Sequence, residues 1–147
     1  LNYVAIAQQE GASLLCGGAR LSDGDLAHGY FMQPTVLGNV KPAARIACEE
    51  VFGPVVGIIR VANFDEALAV ANSVDVGLSA SIVTRDLKKA MLYTERIQAG
   101  VVKVNQISTG LALQAPFGGV KQSGLGREGG MHGILEYLEA KYIATSF

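Results

Sequence analysis

The feature that most constrains the fold is a regular alternation of apolar runs and amphipathic segments in the middle of the chain. The runs PVVGIIRV (54–61), LSASIVT (78–84) and VVKVN (101–105) indicate strands, and the first is a continuous apolar run typical of a strand covered on both faces. Asn63 and Asp86 stand between them, where the N-caps of two helices would lie. Because short links between alternating strands and helices favour right-handed crossovers, we predict an α/β fold whose strands pair in parallel.

Weaker patterns flank this region. On the N-terminal side we predict the tail of a helix over 1–10, a short strand over 13–18 and an extended edge segment over 31–40. On the C-terminal side we predict a short helix over 130–139 and a terminal strand over 141–147.

The composition is unusually apolar for a chain without a membrane-spanning run. Hydrophobic residues make up 50% and charged residues 17% of the 147 residues, against a charged share of about 25% in typical soluble domains. The mean hydropathy is +0.31. No apolar run approaches the ~20 residues of a transmembrane helix, and no signal-peptide pattern opens the chain. We therefore expect the apolar surface to be covered by a missing part of the same polypeptide, by a sister subunit or by both.

The charged residues and the cysteines argue against several classes of function. A formal net charge of −1 leaves no basic stripe for nucleic acid. Cys16 and Cys48 lack the spacing of metal ligands, and His28 and His132 are isolated, so we predict no metal site. Two lone thiols without a secretory signal favour the cytoplasm.

Residues 124–129 spell G-x-G-x-x-G, the fingerprint of a dinucleotide-binding turn. A genuine fingerprint follows a strand directly, opens a helix and is followed by an acidic residue about 20 residues further on. Here eighteen residues separate the predicted strand 101–105 from Gly124, and no acidic residue stands at the required distance. We interpret the stretch as a loop whose glycines permit positive φ and close backbone approach.

Three ordered stretches carry a more specific signal than any single motif. They are EEVFGP (49–54), GLSASIVTRDL (77–87) and PFGGVKQSGLGRE (116–128). Together with GVVKVN (100–105) and the closing KYIATSF (141–147), they resemble the C-terminal portion of the catalytic domain of the aldehyde dehydrogenase superfamily. The resemblance covers essentially the whole chain.

The resemblance implies oxidation of an aldehyde to the carboxylic acid with NAD or NADP. In that family a cysteine thiolate attacks the carbonyl, hydride passes to the nicotinamide, and a glutamate-activated water hydrolyses the thioester. The family's nucleophile, its general base and its dinucleotide-binding domain lie upstream of the residues present here. The resemblance therefore implies an enzyme fragment that carries no catalytic residue and is inactive alone, and it leaves NAD against NADP open.

Five residues take binding roles from the resemblance. Glu50 resembles the glutamate that binds the nicotinamide ribose hydroxyls, and Phe52 resembles the aromatic residue beside the nicotinamide. Phe117 resembles the aromatic wall of the aldehyde tunnel, to which Leu78 is a further candidate, and Ser108 would lie at the tunnel mouth. Without the resemblance, Glu50 would be an ordinary loop carboxylate, and the two phenylalanines would be core aromatics.

The tunnel mouth and the tail give two further expectations. The mouth segment 106–115 offers polar Ser108, Thr109 and Gln114 but no bulky aromatic residue, so we expect a small or polar aldehyde such as the semialdehyde of a dicarboxylic acid. We divide the chain into the C-terminal part of the catalytic domain (1–139) and an oligomerisation strand (140–147). An unpaired apolar edge invites pairing with a neighbouring subunit, so we expect a homo-oligomer.

Two other interpretations stay open. A non-catalytic oligomerisation or scaffold module could keep the fold without the chemistry. A free-standing nucleotide-binding domain would rest on the glycine string alone. A cysteine in a substrate-facing loop and a Rossmann half in the upstream sequence would favour the enzyme.

Overall fold

The computed structural model describes residues 1–106 and 112–147. The chain divides into two compact units, Leu1–Ala67 and Leu68–Phe147. Helices and strands occur in both, so the fold is a mixed α/β one. Of the helices in the described ranges, none is long and apolar enough to cross a membrane.

The first unit is built on a three-stranded mixed sheet. Its elements are α1 (Asn2–Gln9), β1 (Ser13–Cys16), a 3-10 helix (Gly24–His28), β2 (Thr35–Gly38), α2 (Arg45–Cys48) and β3 (Val55–Gly57). The strand order is β1-β2-β3. Strand β1 is antiparallel to β2, and β2 is parallel to β3.

A small apolar core packs against the central strand of this sheet. Its buried residues are Val4, Ala7, Leu37, Val40 and Ala44. Leu37 on β2 and Ala7 on α1 are both 0% exposed. The core therefore fixes α1 against β2.

The buried hydroxyl of Thr35 is fully used. It donates to the carbonyl oxygen of Gln33 at 2.8 Å and accepts from the backbone N–H of Gly18 at 2.8 Å. A buried polar group that keeps its hydrogen bonds costs little stability, so Thr35 joins β2 to the loop after β1 without a penalty.

The second unit begins at Leu68, within α3 (Phe64–Asn72). Its other elements are β4 (Val76–Gly77), β5 (Ser79–Ile82), α4 (Leu87–Arg96), β6 (Val101–Val104), β7 (Val120–Lys121) and α5 (Gly130–Leu135). Strands β4 and β7 are antiparallel, and β5 and β6 are parallel. The apolar face of α4 contributes Ala90, Tyr93 and the following Ile97 to the buried residues of this unit.

The two predicted helix caps are confirmed. The side chain of Asn63 accepts a hydrogen bond from the N–H of Glu66 at 2.9 Å, and Asp86 accepts one from the N–H of Lys89 at 3.1 Å. Each cap satisfies a donor that the first turn of a helix leaves free. The helices begin where the sequence predicts because a cap depends only on residues three apart.

The strand pairing confirms the prediction in part. Strands β5 and β6 pair in parallel across α4, as predicted. Strand β3 pairs in parallel with β2, a partner that the sequence analysis did not name. The parallel edge of β2 takes up the hydrogen bonds of this segment, since Ile58 donates to Leu37 at 2.8 Å. Val56 and Ile58 are 59% and 44% exposed, so the expected cover on both faces is also not found.

The C-terminal segment is the second difference. Helix α5 ends at Leu135, and residues 141–147 form no strand within the described ranges. An extended segment becomes a strand only when a neighbouring strand supplies hydrogen-bond partners, and no backbone hydrogen bond in the described chain gives 141–147 one. Tyr142, Ile143 and Phe147 are accordingly highly exposed. The boundary at 139/140 and the oligomerisation role stay predictions.

Candidate cofactor and substrate sites

Glu50 and Phe52 lie on the loop that joins α2 to β3. Glu49, the C-cap of α2, has extended backbone, with φ −109° and ψ 148°. At the far end, the carbonyl oxygen of Pro54 accepts a hydrogen bond from the N–H of Thr35 at 2.8 Å. The loop is thus fixed to β2 just after the two predicted cofactor residues.

The carboxylate of Glu50 is unengaged. The residue is exposed, and its side chain makes no hydrogen bond or ion pair with any residue that the structure describes. An ionised carboxylate has several acceptor positions and no donor. Glu50 is therefore available to a ligand that offers hydroxyl or N–H donors.

Phe52 is held in an unusual conformation. Its φ is +47°, a left-handed value that costs a bulky L-residue roughly 1–3 kcal/mol. The residue is also 93% exposed, so Phe52 takes no part in the core of the described chain. Strained backbone of this kind clusters at functional sites, and here it occurs two residues after the unengaged Glu50.

Both carboxylate oxygens of the adjacent Glu49 accept hydrogen bonds. The hydroxyl of Tyr3 donates to its Oε2 at 2.6 Å, and Nε and Nη2 of Arg45 donate to its two carboxylate oxygens at 2.8 Å each. The guanidinium carbon of Arg45 also lies 5.6 Å from the centroid of the Tyr3 ring, within the range of a cation–π contact. Tyr3, Arg45 and Glu49 are called the Glu49 cluster below.

The hydrogen bonds of the Glu49 cluster shift the pKa of each member. The bonds from Arg45 and then from Tyr3 lower the pKa of Glu49 from 4.5 to about 2. The hydrogen bond to Glu49 raises the pKa of the Tyr3 hydroxyl and that of the Arg45 guanidinium. Sequence analysis missed this cluster because Tyr3 precedes Glu49 by 46 residues; its local signal was the i, i+4 spacing of Arg45 and Glu49.

In the second unit, Phe117 is fixed through its backbone. Phe117 and Glu128 form an isolated antiparallel bridge, in which each N–H donates to the other's carbonyl oxygen at 2.7 Å. The next residue back, Arg127, uses Nη1 to donate to the carbonyl oxygens of Gly119 and Gly126 at 2.8 and 2.7 Å. Phe117 is half-buried, so it is neither a core residue nor a fully exposed one.

The glycines around Phe117 serve close packing. A Cβ on Gly100 would collide with the carbonyl oxygen of Gly118. Within the G-x-G-x-x-G string, Gly126 has φ +69°, and a Cβ there would lie 2.9 Å from the carboxyl carbon of Glu136. That carboxylate occupies the space above the turn and would repel a phosphate. Strand β7, which precedes the string, is antiparallel to β4, so the parallel context of the fingerprint is missing from the described chain.

Leu78 and Phe117 belong to connected segments. Leu78 links β4 to β5 and is 42% exposed. The preceding Gly77 pairs with Val120 on β7, and its N–H donates to Oγ of Ser123 at 2.8 Å. The backbones that carry the two predicted tunnel residues are therefore joined by the β4–β7 pair. Ser108 lies outside the described residues.

Comparison with known proteins shows the family to which these residues belong. Residues 1–143 match the aldehyde dehydrogenase family. Over 149 aligned residues the chain is 50% identical to the α-ketoglutarate semialdehyde dehydrogenase of Haloferax volcanii, covering 100% of this chain and 31% of that protein. It is 48% identical to the α-ketoglutaric semialdehyde dehydrogenase of Bacillus subtilis, over 84% of this chain and 25% of that one.

A solved structure of another aldehyde dehydrogenase has a similar fold. The betaine aldehyde dehydrogenase of Staphylococcus aureus in complex with NAD+ superimposes with a TM-score of 0.92 at 40% identity, over 97% of this chain and 28% of that one. The chain thus spans between a quarter and a third of the length of these proteins. With a match over residues 1–143, the chain belongs to the aldehyde dehydrogenase family.

Proposed function

We propose that this chain is part of an NAD(P)-dependent aldehyde dehydrogenase, which oxidises an aldehyde to the acid through a cysteine thioester. The observation that carries the proposal is the state of loop 49–54 in a chain of this family. Glu50 has no partner among the described residues, and Phe52 is exposed at positive φ. We propose that the chain supplies cofactor and tunnel residues but not the nucleophile, and that it is inactive alone.

The side chains of the loop fit a nicotinamide nucleotide. The Glu50 carboxylate can accept hydrogen bonds from two vicinal ribose hydroxyls, which would fix the ring position. The exposed ring of Phe52 offers a flat apolar surface for packing beside the nicotinamide. The chemistry supplied by bound NAD(P) is acceptance of a hydride from the substrate carbon. Use of NAD is also supported by the Staphylococcus aureus relative, whose structure contains NAD+.

The aldehyde would pass beside Phe117 and Leu78, with Ser108 at the mouth of the tunnel. We propose a small polar aldehyde, in particular the semialdehyde of a dicarboxylic acid. Two relatives are named for α-ketoglutarate semialdehyde, at 50% and 48% identity, and the mouth segment carries hydroxyl and amide side chains. Hydrogen-bonding groups in a pocket discriminate against substrates that leave them unpaired.

Steady-state kinetics of the complete polypeptide that carries these residues test the proposal. With NAD or NADP, we expect succinic semialdehyde to give a kcat/KM at least about tenfold above that of hexanal. Faster turnover of hexanal would contradict the substrate class. If neither aldehyde, nor betaine aldehyde, produced NADH or NADPH, the enzyme proposal would fail and the scaffold interpretation would replace it.

We also propose that residues 140–147 pair with a second copy of the protein. Tyr142, Ile143 and Phe147 are 91%, 74% and 119% exposed, and an apolar segment with free backbone groups is a template for strand addition. The described chain provides no such partner for it.

Sedimentation velocity tests the tail. Deleting 140–147 from the complete polypeptide is expected to shift the protein from an oligomer to smaller species, and Ile143→Asp is expected to act in the same direction. Leu125→Asp is the matched control, because Leu125 is a highly exposed aliphatic residue that lies outside the tail. An unchanged sedimentation coefficient for the deletion would refute the role of the tail.

A further inference from the structure

We infer that Glu49 is a positioning residue, which fixes the backbone from which Glu50 and Phe52 project. The inference rests on the proposed function, since it concerns the placement of the proposed cofactor residues. Glu49 itself would make no contact with the cofactor.

The first step is that the Glu49 cluster ties α2 to α1. The guanidinium group of Arg45 donates a hydrogen bond to each oxygen of the Glu49 carboxylate, and the Tyr3 hydroxyl donates a third. A bidentate guanidinium–carboxylate pair restricts orientation as well as distance. Tyr3 is a fixed point because the next residue, Val4, is 4% exposed in the core. Glu49 is therefore anchored to the buried frame of the first unit.

The second step is that Glu49, which is anchored, directly precedes Glu50, whose carboxylate is unengaged. The backbone of Glu49 is extended, and successive side chains of extended backbone point to opposite sides. With Glu49 committed to Arg45 and Tyr3, Glu50 is directed away from both. This agrees with its lack of hydrogen bonds to the described residues.

The third step is that both ends of the loop must be held for Phe52 to keep its conformation. The far end is fixed by the hydrogen bond from Thr35 to Pro54, which leaves four residues, 50–53, between the two anchors. A φ of +47° at Phe52 persists only where the surroundings enforce it. Releasing Glu49 would let the loop relax toward negative φ and displace both Glu50 and Phe52.

The test is Glu49→Gln in the complete polypeptide. Glutamine keeps the length of the side chain but loses the charge and one of the two acceptors that Arg45 grips. We expect the Kd for NAD, measured by titration calorimetry, to rise on the order of tenfold, the lower end of the effect seen when the hydrogen-bonding partner of a metal ligand is removed. We expect hydrogen exchange of the amides of 50–53 to accelerate, and the KM for NAD to rise while the KM for the aldehyde stays unchanged.

Two further variants separate positioning from a general loss of structure. Tyr3→Phe removes the 2.6 Å hydrogen bond but keeps the ring beside Arg45, so it should raise the Kd less than Glu49→Gln does. In the double variant the two effects should not add, because both act through one cluster. The control is Glu95→Gln, since Glu95 is an exposed carboxylate without a hydrogen bond to any described residue, and it should change neither readout.

Glu50→Gln, measured in parallel, separates the inference from the function on which it rests. If Glu50→Gln raises the Kd and Glu49→Gln does not, the inference alone is overturned. Unchanged exchange of 50–53 in Glu49→Gln overturns it as well, and so does faster exchange at an unchanged Kd. If Glu50→Gln leaves the Kd unchanged, the cofactor role of Glu50 fails and the inference fails with it.

Discussion

Glu49 and Glu50 are neighbours of the same residue type, and their carboxylates have opposite surroundings. Glu49 accepts three hydrogen bonds from Tyr3 and Arg45, whereas Glu50 accepts none from the part of the chain that the structure describes. A carboxylate that already has its partners has little left to offer a ligand. Of the two carboxylates, only that of Glu50 therefore keeps all its acceptor positions for a ligand.

The lowered pKa of Glu49 predicts a pH dependence of stability. Its pKa is about 2 in the folded chain against an ordinary 4.5. A depressed carboxyl pKa contributes stability that is present in full above the unfolded pKa and is lost as the pH falls toward the folded one. We expect the difference in urea midpoint between the wild type and Glu49→Gln to be constant from about pH 7 to pH 5 and to shrink below about pH 4.5.

Urea titrations of both proteins from about pH 7 down to about pH 3 provide the measurement. The Tyr3 hydroxyl adds a second loss of stability at high pH. Its pKa is raised in the folded chain, so the stability that Tyr3 contributes is present in full below its ordinary pKa of 10 and is lost as the pH rises above that value. A difference between the two proteins that grew on acidification would contradict this account of the cluster.

At the scale of the element, Lys121 caps the C-terminal end of α3. Its Nζ donates to the carbonyl oxygen of Asn72, the last residue of α3, at 2.7 Å and to that of Val74, two residues beyond the helix, at 2.8 Å. The last carbonyls of a helix lack partners within it and carry the negative end of its dipole. Lys121 itself has φ +56°, so β7 ends in a strained residue whose ammonium group satisfies α3.

Lys121→Met is expected to lower the free energy of unfolding by roughly 1 kcal/mol, because two exposed charge-assisted hydrogen bonds are lost, one of them to the last carbonyl of α3. Urea denaturation of the complete polypeptide measures the effect. Lys88→Met serves as the matched control, because Lys88 is exposed on α4 and makes no hydrogen bond to the described residues. Equal stability of the two variants would rule out the capping role.

The elements that the sequence predicts well are those set by local rules. The caps at Asn63 and Asp86 act over three residues, and both are confirmed. The partner of β3 depends on a segment about 20 residues earlier in the chain, and the apolar pattern of 54–61 does not encode it. The Glu49 cluster depends on Tyr3, still further away. Contacts between distant segments are set by how the segments pack in three dimensions, and the periodicity of apolar residues within one segment carries no information on that packing.

At the scale of the whole molecule, the apolar composition agrees with the exposed surface. Large side chains such as Val56, Val83 and Leu87 are 59%, 85% and 76% exposed, and soluble proteins rarely leave extensive apolar patches uncovered. The chain spans 31% of the length of its Haloferax volcanii relative. We therefore expect the remainder of a longer polypeptide, and a second copy, to cover this surface.

The proposed binding of the nicotinamide nucleotide to loop 49–54 through Glu50 is tested by measuring the Kd for NAD of Glu50→Gln in the complete polypeptide. Loss of a charged acceptor for two hydroxyls costs about 1.5–3 kcal/mol, so the Kd should rise by roughly tenfold or more, whereas Glu95→Gln should bind NAD like the wild type. An unchanged Kd in Glu50→Gln would contradict the account.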